Sequence, residues 1–103
     1  MADYYRIVCT VQVPADHTPT RAHIVEVGTG GDAHKATRRW TLDEVIAAMD
    51  RGDQFFTKGE QSGKIAFVEK FWCSHCARDY IRSKPDAVTD NNLDYLRICG
   101  RQD

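Results

Sequence analysis

Four cysteines carry most of the chemistry open to this chain: Cys9, Cys73, Cys76 and Cys99. Two of them stand at Cys-x-x-Cys spacing in Phe71-Trp72-Cys73-Ser74-His75-Cys76, reached through the apolar run Ile65-Ala66-Phe67-Val68. Such a pair can exchange electrons as a dithiol, hold a metal, or flank a turn. The redox use sets a demand, because the reactive cysteine gains its low pKa at a helix N-terminus. A long helix and further sheet should follow. Only 27 residues come after Cys76, with Pro85 among them, which leaves too little chain for that arrangement. A thiol–disulfide oxidoreductase at Cys73 and Cys76 is therefore the second alternative.

Metal binding fits the spacing better. Two thiolates at this separation grip one tetrahedral Zn²⁺, and a closed site takes two more ligands from distant segments. Cys99, 23 positions beyond Cys76, is the expected third ligand, and Cys9 is the fourth if the first strand lies beside the C-terminal segment, with His75, His17 or a water as the alternatives. The prediction is a structural zinc at Cys73, Cys76, Cys99 and Cys9, in a knuckle-like hairpin. Against it, Cys9 and Cys99 also suit small buried hydrophobes.

The remaining candidates read as structural. The histidines fall in unlike contexts with no His-x-x-x-His pattern, so His17, His23, His34 and His75 default to non-catalytic positions. Asp86, Asp90 and Asp94 recur every four residues, but Thr89-Asp90-Asn91-Asn92-Leu93 has the composition of Asx-turns. Gly28-x-Gly30-Gly31 lacks the Lys-Ser/Thr of a phosphate loop. Lys35, Arg38, Arg39, Lys58, Lys64, Lys70, Arg78, Arg82 and Lys84, with Trp40, could be assembled into a basic, aromatic surface for nucleic acid, the first alternative function, with Arg38, Arg39, Lys70 and Arg78 as its expected binding residues, although acidic residues are scattered among them.

The elements that would position these groups follow from apolar spacing. Tyr4 to Val13 alternates so that Tyr5, Ile7, Cys9, Val11 and Val13 share one side of a strand. His23 to Val27 reads as a second strand, stopped by Gly28-Thr29-Gly30-Gly31. Thr41-Leu42-Asp43-Glu44 has the capping-box form, and Leu42, Val45, Ile46 and Met49 make one apolar helical face that ends at Gly52. Trp40 and Val45 suit a hydrophobic staple. Gln54 to Thr57 and Lys64 to Trp72 read as a hairpin about the Gly59 to Gly63 turn, and Tyr80-Ile81-Arg82 as a further strand or a helix. The expected core is Trp40, Val45, Ile46, Met49, Ile65, Phe67 and Leu93.

A chain of 103 residues has room for one domain, and 42% hydrophobic with 28% charged residues is an ordinary globular balance. A formal net charge of -1 gives no general field for polyanions, so such binding needs a local patch. The opening Met-Ala-Asp-Tyr-Tyr-Arg lacks a signal peptide's apolar stretch and no run is long enough to span a bilayer, which points to the cytoplasm and no membrane partner.

Two segments, Arg39-Trp40-Thr41-Leu42-Asp43-Glu44-Val45-Ile46 with Gly52-Asp53, and Tyr80-Ile81-Arg82-Ser83 through Asp86, Thr89, Asp90, Asn91-Asn92-Leu93 and Leu96, together resemble a family of short bacterial and phage proteins known only as a domain of unknown function. The resemblance implies a single small α+β domain and no activity. The expectation is a small antiparallel sheet of four or five strands, one amphipathic helix on one face, and a short C-terminal turn of helix. The expected function is that of a zinc-stabilised, non-catalytic accessory or interaction protein, whose protein partner and oligomeric state the residues do not name.

Overall fold

The structure is a computed structural model that describes residues 3–13, 23–32, 34–73, 77–84 and 96–100. In chain order it contains β1 (Tyr4–Val13), β2 (His23–Thr29), β3 (Arg38–Thr41), α1 (Leu42–Asp50), β4 (Gln54–Lys58), β5 (Ile65–Cys73) and β6 (Arg78–Ser83). All strands join one six-stranded sheet in the order β3-β2-β1-β4-β5-β6. The β1–β4 pair is parallel and the other four pairs are antiparallel.

This corrects the expected antiparallel sheet of four or five strands. Hairpin geometry explains the antiparallel pairs. A parallel neighbour needs a crossover, and α1 supplies it by carrying the chain from β3 at one edge to β4 on the far side of β1. The short β3 was missed because its Arg38-Arg39-Trp40-Thr41 shows no apolar alternation. β2 also runs through Gly28 to Thr29 instead of stopping at the glycine. Tyr80 to Arg82 lies within β6, which pairs along β5.

Helix α1 forms as its sequence dictates. The Glu44 N–H donates to Thr41 Oγ1 at 3.2 Å, while the Thr41 N–H donates to Glu44 Oε1 at 2.9 Å. At the other end Gly52 takes φ +101°, its N–H reaches the Met49 carbonyl, and the Asp53 N–H reaches that of Ala48. That is the Schellman closure, which favours glycine at the left-handed position.

Trp40, Val45, Ile7, Ile24, Val27, Phe55, Val68 and Ile81 lie in the main core, with Ile46, Met49 and Leu96 packed against it. Ile65 is 54% exposed, contrary to expectation, and Phe67 is half-buried. The register explains both: Ala66 and Val68 are the buried alternate positions of β5, so their odd-numbered neighbours take the opposite face. Leu93 and Tyr95 lie outside the described residues, as do Ser74, His75, Cys76, the Asp86 to Leu93 turn motif and His17.

Two register irregularities interrupt β1, between Ile7 and Cys9 and between Val11 and Gln12. The first breaks the alternation, so Cys9 leaves the main core and joins Val8, Ala36 and Cys99 in a second cluster. The sheet also curls. β6 touches β2 across three intervening strands, and Tyr80 stacks on His23 with centroids 3.9 Å apart. The C-terminal segment then runs beside β1, where Cys99 N–H donates to Thr10 O and Thr10 N–H to Arg97 O.

Candidate functional site

Cys9 and Cys99 are joined by a disulfide with Cα atoms 4.9 Å apart. Neither sulfur is then a thiolate, so the expected zinc site is lost. Among the described residues no group of three or more His, Cys, Asp or Glu side chains could hold a metal. The disulfide also corrects the cytoplasmic expectation, because such crosslinks belong to oxidising compartments. Among the described residues no helix is long and apolar enough to cross a membrane.

Cys73 closes β5 as a thiol, 7% exposed, with its Sγ 3.8 Å from His23 Nε2. The imidazole is held by its stack on Tyr80. A histidine beside a cysteine is a nucleophile's arrangement, but a thiol must also be reached, and this one is buried. Cys76, its partner in the motif, lies outside the described residues. Cys73 is thus separated from the Cys9–Cys99 pair in role as well as in place.

The four cations named for a nucleic-acid surface do not make one patch. Arg39 pairs with Glu26 at 3.5 Å, Lys70 with Asp50 at 2.6 Å and Arg78 with Asp43 at 2.7 Å. The Asp50 hydrogen bond holds the Lys70 ammonium above its usual pKa. Only Arg38 keeps no carboxylate partner among the described residues; its guanidinium lies 3.5 Å above the Trp40 ring.

A different set converges. On the face of β1, β4 and β5 turned away from the main core, Phe67 stands between Tyr4 and Phe56, with ring centroids at 6.4 and 6.3 Å. The pairings Arg6↔Phe56, Phe56↔Phe67 and Lys58↔Ile65 put Arg6, Lys58 and Ile65 on that same face. Lys84 Nζ lies 6.0 Å from the Phe67 centroid. Among the described residues Arg6, Lys58 and Lys84, like Arg38, have no carboxylate within ion-pair distance. Cations without carboxylate partners among the described residues thus share one face with exposed Tyr4 and half-buried Phe56 and Phe67.

At one end of this face a cleft of about 380 Å³ opens between the start of β1, the β2–β3 turn and β4. Tyr4, Tyr5, Arg6, Arg38 and Phe56 line it together with backbone at Gly30 and Gly31. Gly30 is required there, since a Cβ would stand 2.9 Å from the Lys35 carbonyl. Arg6 donates to the carbonyls of Gly31 at 3.4 Å and Lys58 at 3.5 Å, while its Nε is buried with no hydrogen-bond partner. The Tyr5 phenol stays protonated above its ordinary range, chiefly through desolvation, then through the charges of Asp3 and Asp53. It is a hydrogen-bonding group here, donating to Asp3 Oδ2 at 3.4 Å.

Sequence reasoning missed Tyr4, Arg6 and Phe56 and assigned Phe67 to the core, whereas Lys58 and Lys84 were among the cations it named for a nucleic-acid surface. A signal existed in Phe55-Phe56, because adjacent aromatics on a strand cannot both face the core. Comparison with protein-family models, curated proteins and solved structures finds no match, so a functional reading rests on this chain's own residues.

Proposed function

We propose that this protein is a non-catalytic interaction module that binds single-stranded nucleic acid across the outer face of β1, β4 and β5. The observation that supports the reading is the Tyr4–Phe67–Phe56 row beside Arg6, Lys58 and Lys84, cations without carboxylate partners among the described residues. Aromatic rings on an open sheet stack bases whatever their sequence, and flanking cations follow the phosphates. The overall charge of -1 does not oppose this, because binding draws on a local patch, while Arg39, Arg51, Lys70, Arg78 and Arg82 are each paired with a carboxylate.

Fluorescence anisotropy with a labelled oligothymidylate of about 12 nucleotides, within the range of known single-strand sites, tests the reading. Binding is expected near 50 mM salt and should weaken steeply by about 200 mM. Tyr4→Ala combined with Phe67→Ala should weaken it by about tenfold or more, since stacking contributes roughly 1–3 kcal/mol per base. Tyr4 is 61% exposed, so Tyr4→Ala alone reports on binding without a folding defect. Absence of binding at low salt overturns the proposal, as does equal competition by polyglutamate, which would point to an acidic polypeptide as partner.

A further inference from the structure

The aromatic row accounts for a strand lying across the sheet, but not for the cleft at its end. Arg6 and Arg38 both line that cleft, and neither guanidinium has a carboxylate counterion among the described residues. Arg6 Nε is buried and lacks any hydrogen-bond acceptor. The Arg6 terminal nitrogens reach the Gly31 and Lys58 carbonyls only at 3.4 and 3.5 Å, which leaves them donor capacity for a ligand acceptor. Arg38 is held in place by its seat on Trp40, which itself is anchored by a 2.9 Å hydrogen bond from Nε1 to Thr29 Oγ1. The cleft's volume of about 380 Å³ falls within the range of small-ligand sites.

Two arginines lining one cleft, neither paired with a carboxylate among the described residues, favour a doubly charged acceptor. An internal phosphodiester carries one negative charge, whereas a phosphate monoester carries roughly −1.5 to −2 near pH 7 and offers three acceptor oxygens. Tyr4 and Phe56 belong both to the cleft lining and to the aromatic row, so the space continues the path along the sheet. We infer that the cleft is an end-recognition subsite, which takes the terminal phosphate monoester of a single strand through Arg6 and Arg38 while Tyr4 and Phe56 stack its last bases.

This inference rests on the nucleic-acid reading, and its test separates the two. The same labelled oligothymidylate is prepared with a 5′-phosphate, with a 3′-phosphate and with hydroxyls at both ends, and binding is measured near 100 mM salt. One phosphorylated form should bind about tenfold more tightly than the unphosphorylated strand, as expected for an added charge-assisted contact. Arg38→Gln should abolish that preference while the unphosphorylated strand keeps its affinity. Arg38→Lys, which retains the charge but not the planar fork, should restore it only in part. Thermal melts of both variants exclude a folding defect. If all three strands bind equally, end recognition is wrong and the sheet-face proposal stands. If a preference exists but survives in Arg38→Gln, the cleft is not its source. If no strand binds, both readings fall together.

Discussion

Gly28 lies inside β2, yet it does not serve as the stop its composition suggests. A Cβ there would stand 2.5 Å from Cys9 Sγ, 2.6 Å from Ala36 Cβ and 3.3 Å from Cys99 Sγ. The missing side chain is the space in which the disulfide lies across the sheet. Gly28→Ala should therefore destabilise the protein by about 1–3 kcal/mol, the usual cost of overpacking, read from urea denaturation. Wild-type stability in that variant would show that the crosslink does not lie over β2. Cys73 teaches the converse lesson: a motif read for chemistry proves to hold a buried sulfur beside His23, and the distance of 3.8 Å is a packing fact before it is a catalytic one.

Among the elements, α1 was the most legible. Its capping box lies within four consecutive residues, so no distant contact is needed to specify it. Thr41→Ala should cost about 1 kcal/mol at neutral pH, measured as a shift in the denaturation midpoint. Glu44 adds a pH signature. Hydrogen bonds from the Thr41 backbone, and then from its side chain, hold its carboxyl below the ordinary value of 4.5. A depressed carboxyl contributes stability that is present above the unfolded-state value and lost as pH falls through the folded one. The stability gap between wild type and Glu44→Gln should thus close on acidification below about pH 4; a gap that persists at lower pH would mean that Glu44 acts through packing. Strand β1 was harder to read. Its alternation foretold one apolar side, but the irregularity after Ile7 sends Cys9 to the other cluster, and a bulge leaves no mark in a pattern of residue types.

At the scale of the whole molecule, the Cys9–Cys99 bond ties together points 90 residues apart, the C-terminal segment and the central strand. Closing so long a loop restricts the unfolded chain, and loss of such a native bond costs about 2–5 kcal/mol. The double variant Cys9→Ser, Cys99→Ser should melt well below wild type, reduction of the wild type should do the same, and EDTA should leave the melting temperature unchanged. Equal melting of reduced and oxidised protein would rule out the crosslink. The sequence by itself determined what depends on near neighbours: the helix with both its caps, the β4–β5 hairpin and the apolar character of most strands. Only the tertiary structure decided which strands pair in parallel, which cysteines meet, and which aromatics face outward beside cations that lack a carboxylate partner among the described residues. Local preferences act through a few adjacent residues, whereas strand order, cysteine pairing and the exposed face depend on contacts between segments whose separation no spacing rule encodes.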